Sequence, residues 1–213
     1  DMIEVGMPYS DPIADGPIIQ QSNMQALQNG ITLRLMFEQL AALKEQLHVP
    51  VILMGYFNPV LQFGMDAFCM QAAAAGVSAL IIPDLPLSEY NSLYRKIIEK
   101  YGLSFIFLIS PATSKKRMQQ ADKASTGFLY AVSSTATTGN TAVPVNFEYF
   151  SRLKTTNFNN PVMIGFGISN KASFKNACAF ADGAIIGSAY ISALKSASNL
   201  ITTTHEFVDN IIH

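Results

Sequence analysis

Cysteine is scarce in this chain, and the two present, Cys69 and Cys178, fall inside helical patterns with neither a C-x-x-C spacing nor a histidine nearby. A disulfide framework and a cysteine–histidine zinc site are thereby disfavoured, and a reduced, cytoplasmic compartment is the expectation. Charge is sparse as well: 14% of residues are charged, the net is −1, and the 14 basic residues are scattered. The long-range field that draws proteins to nucleic acid or anionic membranes is therefore missing. The densest basic run, Lys115-Lys116-Arg117, reads as a solvated helix face. No apolar run approaches the ~20 residues of a membrane-spanning helix, and no basic-then-apolar signal peptide opens the chain. Nor does the dinucleotide signature G-x-G-x-x-G occur.

Apolar residues, by contrast, make up 49% of the 213, enough for a sizeable core. They gather in seven runs of strand length: 2–5, 51–55, 79–82, 104–109, 127–132, 162–165 and 183–186. These runs are apolar throughout rather than alternating, which predicts strands buried on both faces of a parallel sheet. Helical periodicity fills the intervals at 23–47, 65–75, 88–101, 114–121, 147–154, 171–177 and 200–212. Strand-then-helix repeated in this way builds either an open doubly wound sheet or a closed barrel, and the missing dinucleotide signature favours the barrel. The expectation is an α/β protein, a (β/α)8 TIM barrel of the phosphate-binding type, forming a single domain over 1–213. Seven of its eight units are visible. The chain opens on Asp1 rather than Met, almost inside a strand, so the first unit is expected to be absent from it.

In such a barrel the chemistry gathers at the carboxyl ends of the strands. The titratable residues there are Glu4, Asp11, Asp15 and Asp84. All ten lysines lie in or beside helices, and His48, His205 and His213 lie at helix ends or in the tail. This disfavours a Schiff-base lysine, a histidine base and a histidine-rich metal site. The stretch from Glu4 to Pro17 stiffens a long loop with prolines and offers three carboxylates to the barrel mouth. A carboxylate ending an apolar strand is costly to desolvate unless solvated, paired or used, which marks Glu4. Asp11 and Asp15 have a structural alternative, since both suit turn or helix capping.

Two glycine turns follow the last two strands, Gly165-Phe166-Gly167 and Gly187-Ser188. Glycines admit an anion close to the backbone, and a short helix starting at Ser188 would add its positive end, so the pair predicts a phosphate site. The small hydroxylated loop 133–140 suits a lid over a ligand and an ordinary surface loop equally well.

These segments together resemble the tryptophan synthase alpha subunit family. The resemblance rests on Glu4 through Pro17, Gly55-Tyr56-Phe57-Asn58-Pro59, Pro83-Asp84-Leu85-Pro86, the Gly165–Ser169 turn and Ala184 through Ala189, in the family's order across the whole chain. It implies cleavage of indole-3-glycerol phosphate into indole and glyceraldehyde 3-phosphate, with Glu4 and Asp15 as catalytic carboxylates. It further implies a lid threonine at Thr138, phosphate contacts at Gly139, Gly167, Gly187 and Ser188, an indole pocket at Tyr56 and Phe166, and Tyr130 beside the reacting chain. The implied partner is a pyridoxal-phosphate-dependent beta subunit in an alpha2beta2 heterotetramer, met by an exposed loop with Pro8, Tyr9, Asp11 and Pro12. No cofactor or metal is implied for this chain. One departure stands in the lid, where Ala136-Thr137 replace the family's Gly-Val, and the segment from Gly139 to Pro144 is shorter than usual. Two rival readings are another phosphate-binding barrel enzyme and a catalytically weak subunit that modulates its partner.

Overall fold

The computed structural model describes residues 1–132, 147–165 and 167–212. Its seven strands are β1 (Ile3–Gly6), β2 (Val51–Met54), β3 (Val77–Ile81), β4 (Ser104–Ile109), β5 (Leu129–Val132), β6 (Val162–Gly165) and β7 (Gly183–Ala184). The sheet order is the sequence order, and the described pairings are parallel. In a doubly wound sheet the order reverses at a switch point; parallel strands in unbroken sequence order with helical connections belong to a β/α barrel. The fold is a partial (β/α)7 barrel of the phosphate-binding type.

Helices fill the connections. They are α1 (Pro17–Gln28), α2 (Leu33–Leu43), α3 (Phe57–Phe63), α4 (Met65–Ala74), α5 (Leu87–Glu89), α6 (Arg95–Lys100), α7 (Lys115–Ala124), α8 (Phe147–Thr155), α9 (Lys171–Cys178), α10 (Ser188–Lys195) and α11 (Leu200–Ile212). The single helix expected over 23–47 is in fact two. Gly30 adopts a φ of 84°, a left-handed turn that ends α1, and Thr32 restarts the chain by accepting the Leu35 N–H at 3.1 Å. Gly64, with φ 89°, likewise separates α3 from α4. No helix among the described residues is long and apolar enough to cross a membrane.

The chain divides into two compact units. The first comprises Asp1–Pro12, Asn23–Phe107 and Gln120–Gly127. Its core is the buried β2 and β3 with Val60 and Phe68, plus a ring cluster in which Tyr90 packs on Phe105 at 4.5 Å and Phe107 at 5.1 Å. The second comprises Ile13–Ser22, Leu108–Gln119 and Phe128–His213. There β5 is buried throughout, and Met118, Tyr149, Phe150, Leu153 and Ile164 are buried core residues of the same unit. The expectation that every strand is buried on both faces fails at β1, where Ile3, Glu4 and Gly6 are exposed and Val5 is half-buried. Among the described residues β1 pairs with β2 alone, so one of its edges contributes no burial. The last strand is also shorter than expected, two half-buried residues.

Between α5 and α6 the helix widens to a π turn over Tyr90–Tyr94. This aims Tyr90 fully into the ring cluster, and its hydroxyl is buried without a hydrogen-bond partner. Burial pushes its pKa up. An unmet buried hydroxyl costs stability, so Tyr90→Phe is expected to raise stability by about 1 kcal/mol, read as a higher urea midpoint at constant slope. An unchanged or lower midpoint means that the hydroxyl is satisfied in solution.

Candidate active site

Glu4 is the second residue of β1, opposite Ile52 of β2, and it is exposed. This corrects two expectations: Glu4 does not end its strand, and no desolvation cost singles it out. What marks it is its place at the head of the motif.

The loop after β1 is held from both ends of its first half. Met7 is buried and donates its N–H to the Met54 carbonyl at 2.7 Å. A Cβ on Gly55 would stand 2.7 Å from Met7 Cβ, so only glycine at 55 lets the loop take this path. Tyr9 then lays its ring on Tyr56 at a centroid distance of 5.2 Å, and its hydroxyl accepts from Asn58 Nδ2 at 3.4 Å. The expected exposed partner loop is therefore only partly so. Ser10 and Asp11 are exposed, joined by a Ser10 hydroxyl donating to Asp11 Oδ2 at 2.5 Å, while Pro8, Tyr9 and Pro12 are half-buried. Packing against Tyr56 takes one face of the Tyr9 ring away from a partner.

Sequence reasoning gave Asp84 no role, and the structure supplies one. Tyr56, which precedes α3, makes no side-chain capping bond. Instead Asp84 Oδ1, 27 positions onward, accepts the Phe57 N–H at 2.9 Å. An apolar helix start with no Ser, Thr, Asp or Asn before it was the available signal that a cap must come from elsewhere.

In the second unit Asp15 is half-buried just ahead of α1, with Gly16 buried behind it. Gln20 reaches back from the first turn, its Nε2 donating to the Asp15 carbonyl at 2.9 Å and its backbone N–H to the Gly16 carbonyl at 3.0 Å. Tyr130 is buried on β5, and its ring and hydroxyl occupy the space that a Cβ on Gly165 would need. The first glycine of the 165–167 turn is thus required by a neighbour. Gly167 is required by its backbone, with φ 75°.

Gly187 is neither. Its φ is −108° and a Cβ there meets nothing within 4 Å, so the backbone before α10 faces open space. It caps α10, accepting the Ile191 N–H at 3.0 Å, and Ser188 opens that helix as expected. β6 and β7 are paired neighbours, so the two glycine turns follow the carboxyl ends of adjacent strands. The first N–H groups of α10 have no partner within the helix, which makes this end suited to an anion. Thr138, Gly139 and the rest of the lid, with Phe166, lie outside the described residues. Cys69 offers no nucleophile, because it is buried in α4 and desolvation pushes its thiol up to about 12.

Residues 1–211 match the family model described as tryptophan synthase alpha chain. The chain is 50% identical over 214 residues to the tryptophan synthase alpha chain of Flavobacterium johnsoniae, covering 99% of this chain and 83% of that one. It is 48% identical to that of Bacteroides fragilis, over 93% of this chain and 76% of the relative. Among solved structures, a mutant tryptophan synthase alpha-subunit from the hyperthermophile Pyrococcus furiosus superposes with a TM-score of 0.88 at 32% identity, covering 99% of this chain and 86% of that one. Mycobacterium tuberculosis tryptophan synthase gives 0.88 at 34% identity, over 99% and 79%.

Proposed function

This chain belongs to the tryptophan synthase alpha chain family, the lyase that splits indole-3-glycerol phosphate, and from that premise we propose how its own residues divide the work. Breaking the bond between indole C3 and the glycerol chain sets three tasks. C3 must gain a proton, so that indole leaves as a neutral molecule. Positive charge building on the ring nitrogen must be met by an anion. The adjacent hydroxyl must lose its proton as the carbonyl forms.

Glu4 performs the proton transfers, and its exposed position on β1 supports the role, since an exposed carboxylate is open to a substrate and to exchange of its proton. Asp15 meets the indole N–H; the anchoring of its backbone by Gln20 supports a fixed rather than a mobile charge. Tyr56 lines the indole pocket together with Phe166, Tyr130 stands beside the glycerol chain, and Thr138 closes the lid. The phosphate rests on Gly139, Gly167, Gly187 and Ser188. The open backbone at Gly187, at the head of an eight-residue helix and beside a second glycine turn, is the observation that carries this reading. Phosphate held there aligns the reacting bond without taking part in its cleavage.

A substitution at Gly187 tests it. Because φ is negative and the Cβ direction is empty, Gly187→Asp is expected to fold normally. Its carboxylate then sits in the cradle, so glycerol phosphate binding should fall roughly tenfold or more while indole binding is preserved. Titration calorimetry with the two ligands separately checks this, and an equal loss for both makes the turn structural.

A beta subunit is the partner that family membership brings, and we extend this to an alpha2beta2 assembly in the cytoplasm. The exposed Ser10-Asp11 corner, stiffened by Pro8 and Pro12, is the segment of the loop that remains for contact.

A further inference from the structure

The Pro83-Asp84-Leu85-Pro86 motif has no part in the scheme above, yet Asp84 makes a contact that reaches into it. The turn after β3 is closed by the Leu85 N–H donating to the Ile82 carbonyl at 3.1 Å, which presents Asp84 toward the start of α3. There its Oδ1 accepts the Phe57 N–H at 2.9 Å, supplying the cap that Tyr56 lacks. Phe57 is steadied on its ring face as well, edge-on to Tyr94 at 5.3 Å, a residue delivered by the π turn. On either side of Phe57 stand Tyr56 and Asn58, and these two grip Tyr9, one by its ring and the other by its hydroxyl. Tyr9 lies three residues beyond the end of β1.

We propose that Asp84 is a positioning residue for the lyase reaction: by capping α3 it sets Tyr56 and Asn58, and through Tyr9 these fix the path of the loop that leaves the strand carrying Glu4. Three successive strand-end loops, after β3, β2 and β1, are thereby tied in series by side chains. None of these links is a strand pairing, so the sheet alone does not hold the loop. The first link is a charge-assisted bond to a helix N–H, the strongest type in the chain of contacts. The last, at 3.4 Å, is the weakest. A fault at Asp84 therefore passes outward to the loop rather than into the core, since Asp84 itself is exposed. This rests on the assignment of Glu4 and Tyr56 to the active site.

The test uses the full chain and three variants. Asp84→Ala is expected to lower kcat roughly tenfold to a hundredfold, as displaced reacting groups do, with phosphate binding unchanged. Asp84→Asn keeps an oxygen that accepts the Phe57 N–H and is expected to restore most of that loss. Asn58→Ala leaves the cap in place and cuts only the far link. Aromatic NMR resonances of Tyr9 and Tyr56, which report ring stacking independently of turnover, should shift in Asp84→Ala and Asn58→Ala and stay near wild type in Asp84→Asn. An Asp84→Asn enzyme as impaired as Asp84→Ala overturns the proposal, as do unmoved Tyr9 and Tyr56 resonances in both alanine variants. Should Asp84→Ala fail to fold, the resonances of Asn58→Ala and the activity of Asp84→Asn decide the matter. Glu4→Gln measured alongside separates this proposal from the one beneath it. An active Glu4→Gln enzyme removes the catalytic assignment while the resonance shifts still stand, and an inactive one with unmoved resonances removes only the relay.

Discussion

Glu4→Gln is expected to abolish cleavage of indole-3-glycerol phosphate while the protein stays folded and continues to bind ligand. The fold survives because β1 is held to β2 through backbone bonds in a register that the side chain does not enter, and position 4 is exposed, so glutamine creates no buried unpaired amide. Binding is expected to survive because the proposed phosphate site lies at other residues, in the turns after β6 and β7. What is lost is the ability to give and take a proton, because an amide of the same shape has no titratable oxygen. General acid–base catalysis contributes on the order of 10²–10⁴ in rate, and with one group serving both the C3 protonation and the hydroxyl deprotonation the upper end applies. Single-turnover measurements check it, and retention of more than a tenth of wild-type turnover assigns the proton transfers to another group.

The second large effect is expected at Asp15, with a different signature. Asp15→Asn keeps the size and one acceptor oxygen of the side chain. The bonds from Gln20 end on the backbone carbonyls of residues 15 and 16 and not on the Asp15 side chain, so the approach to α1 should stand. The charge is what disappears, and with it the stabilisation of the positive indole nitrogen. Removing one preorganised electrostatic partner costs about 10²–10³ in kcat. Because the interaction is with the indole ring, affinity for indole in the reverse reaction should fall together with the rate, whereas affinity for glyceraldehyde 3-phosphate should not. A variant that loses affinity for both equally, or that keeps its rate, returns Asp15 to the capping role that its position ahead of a helix also suits. Glu4 and Asp15 thus separate by ligand as well as by rate: the first substitution removes turnover and spares both ligands, and the second weakens indole alone.

What the amino-acid order by itself determined is the alternation of strand and helix and the site motifs set along it. All seven strands begin within two residues of the apolar runs that predict them, as with Ser104–Ile109 and Val162–Gly165, where the bounds coincide. Such runs are legible because burying a strand on both faces demands unbroken apolar residues, a requirement local to each segment. The start of α10 at Ser188 and the glycine turns before it are local too, as is the break at Gly30, which the single helix expected over 23–47 runs across. The tertiary structure alone decided which of these residues touch. That Gly55 yields to Met7 and Gly165 to Tyr130 depends on strand pairing across dozens of positions. The exposure of β1 depends on which of its edges has a partner, and no pattern within residues 3–6 records that. The cap on α3 comes from 27 residues away because a backbone N–H donates to whichever oxygen the fold brings to it, and the register of parallel strands, rather than any neighbouring residue, brings Asp84.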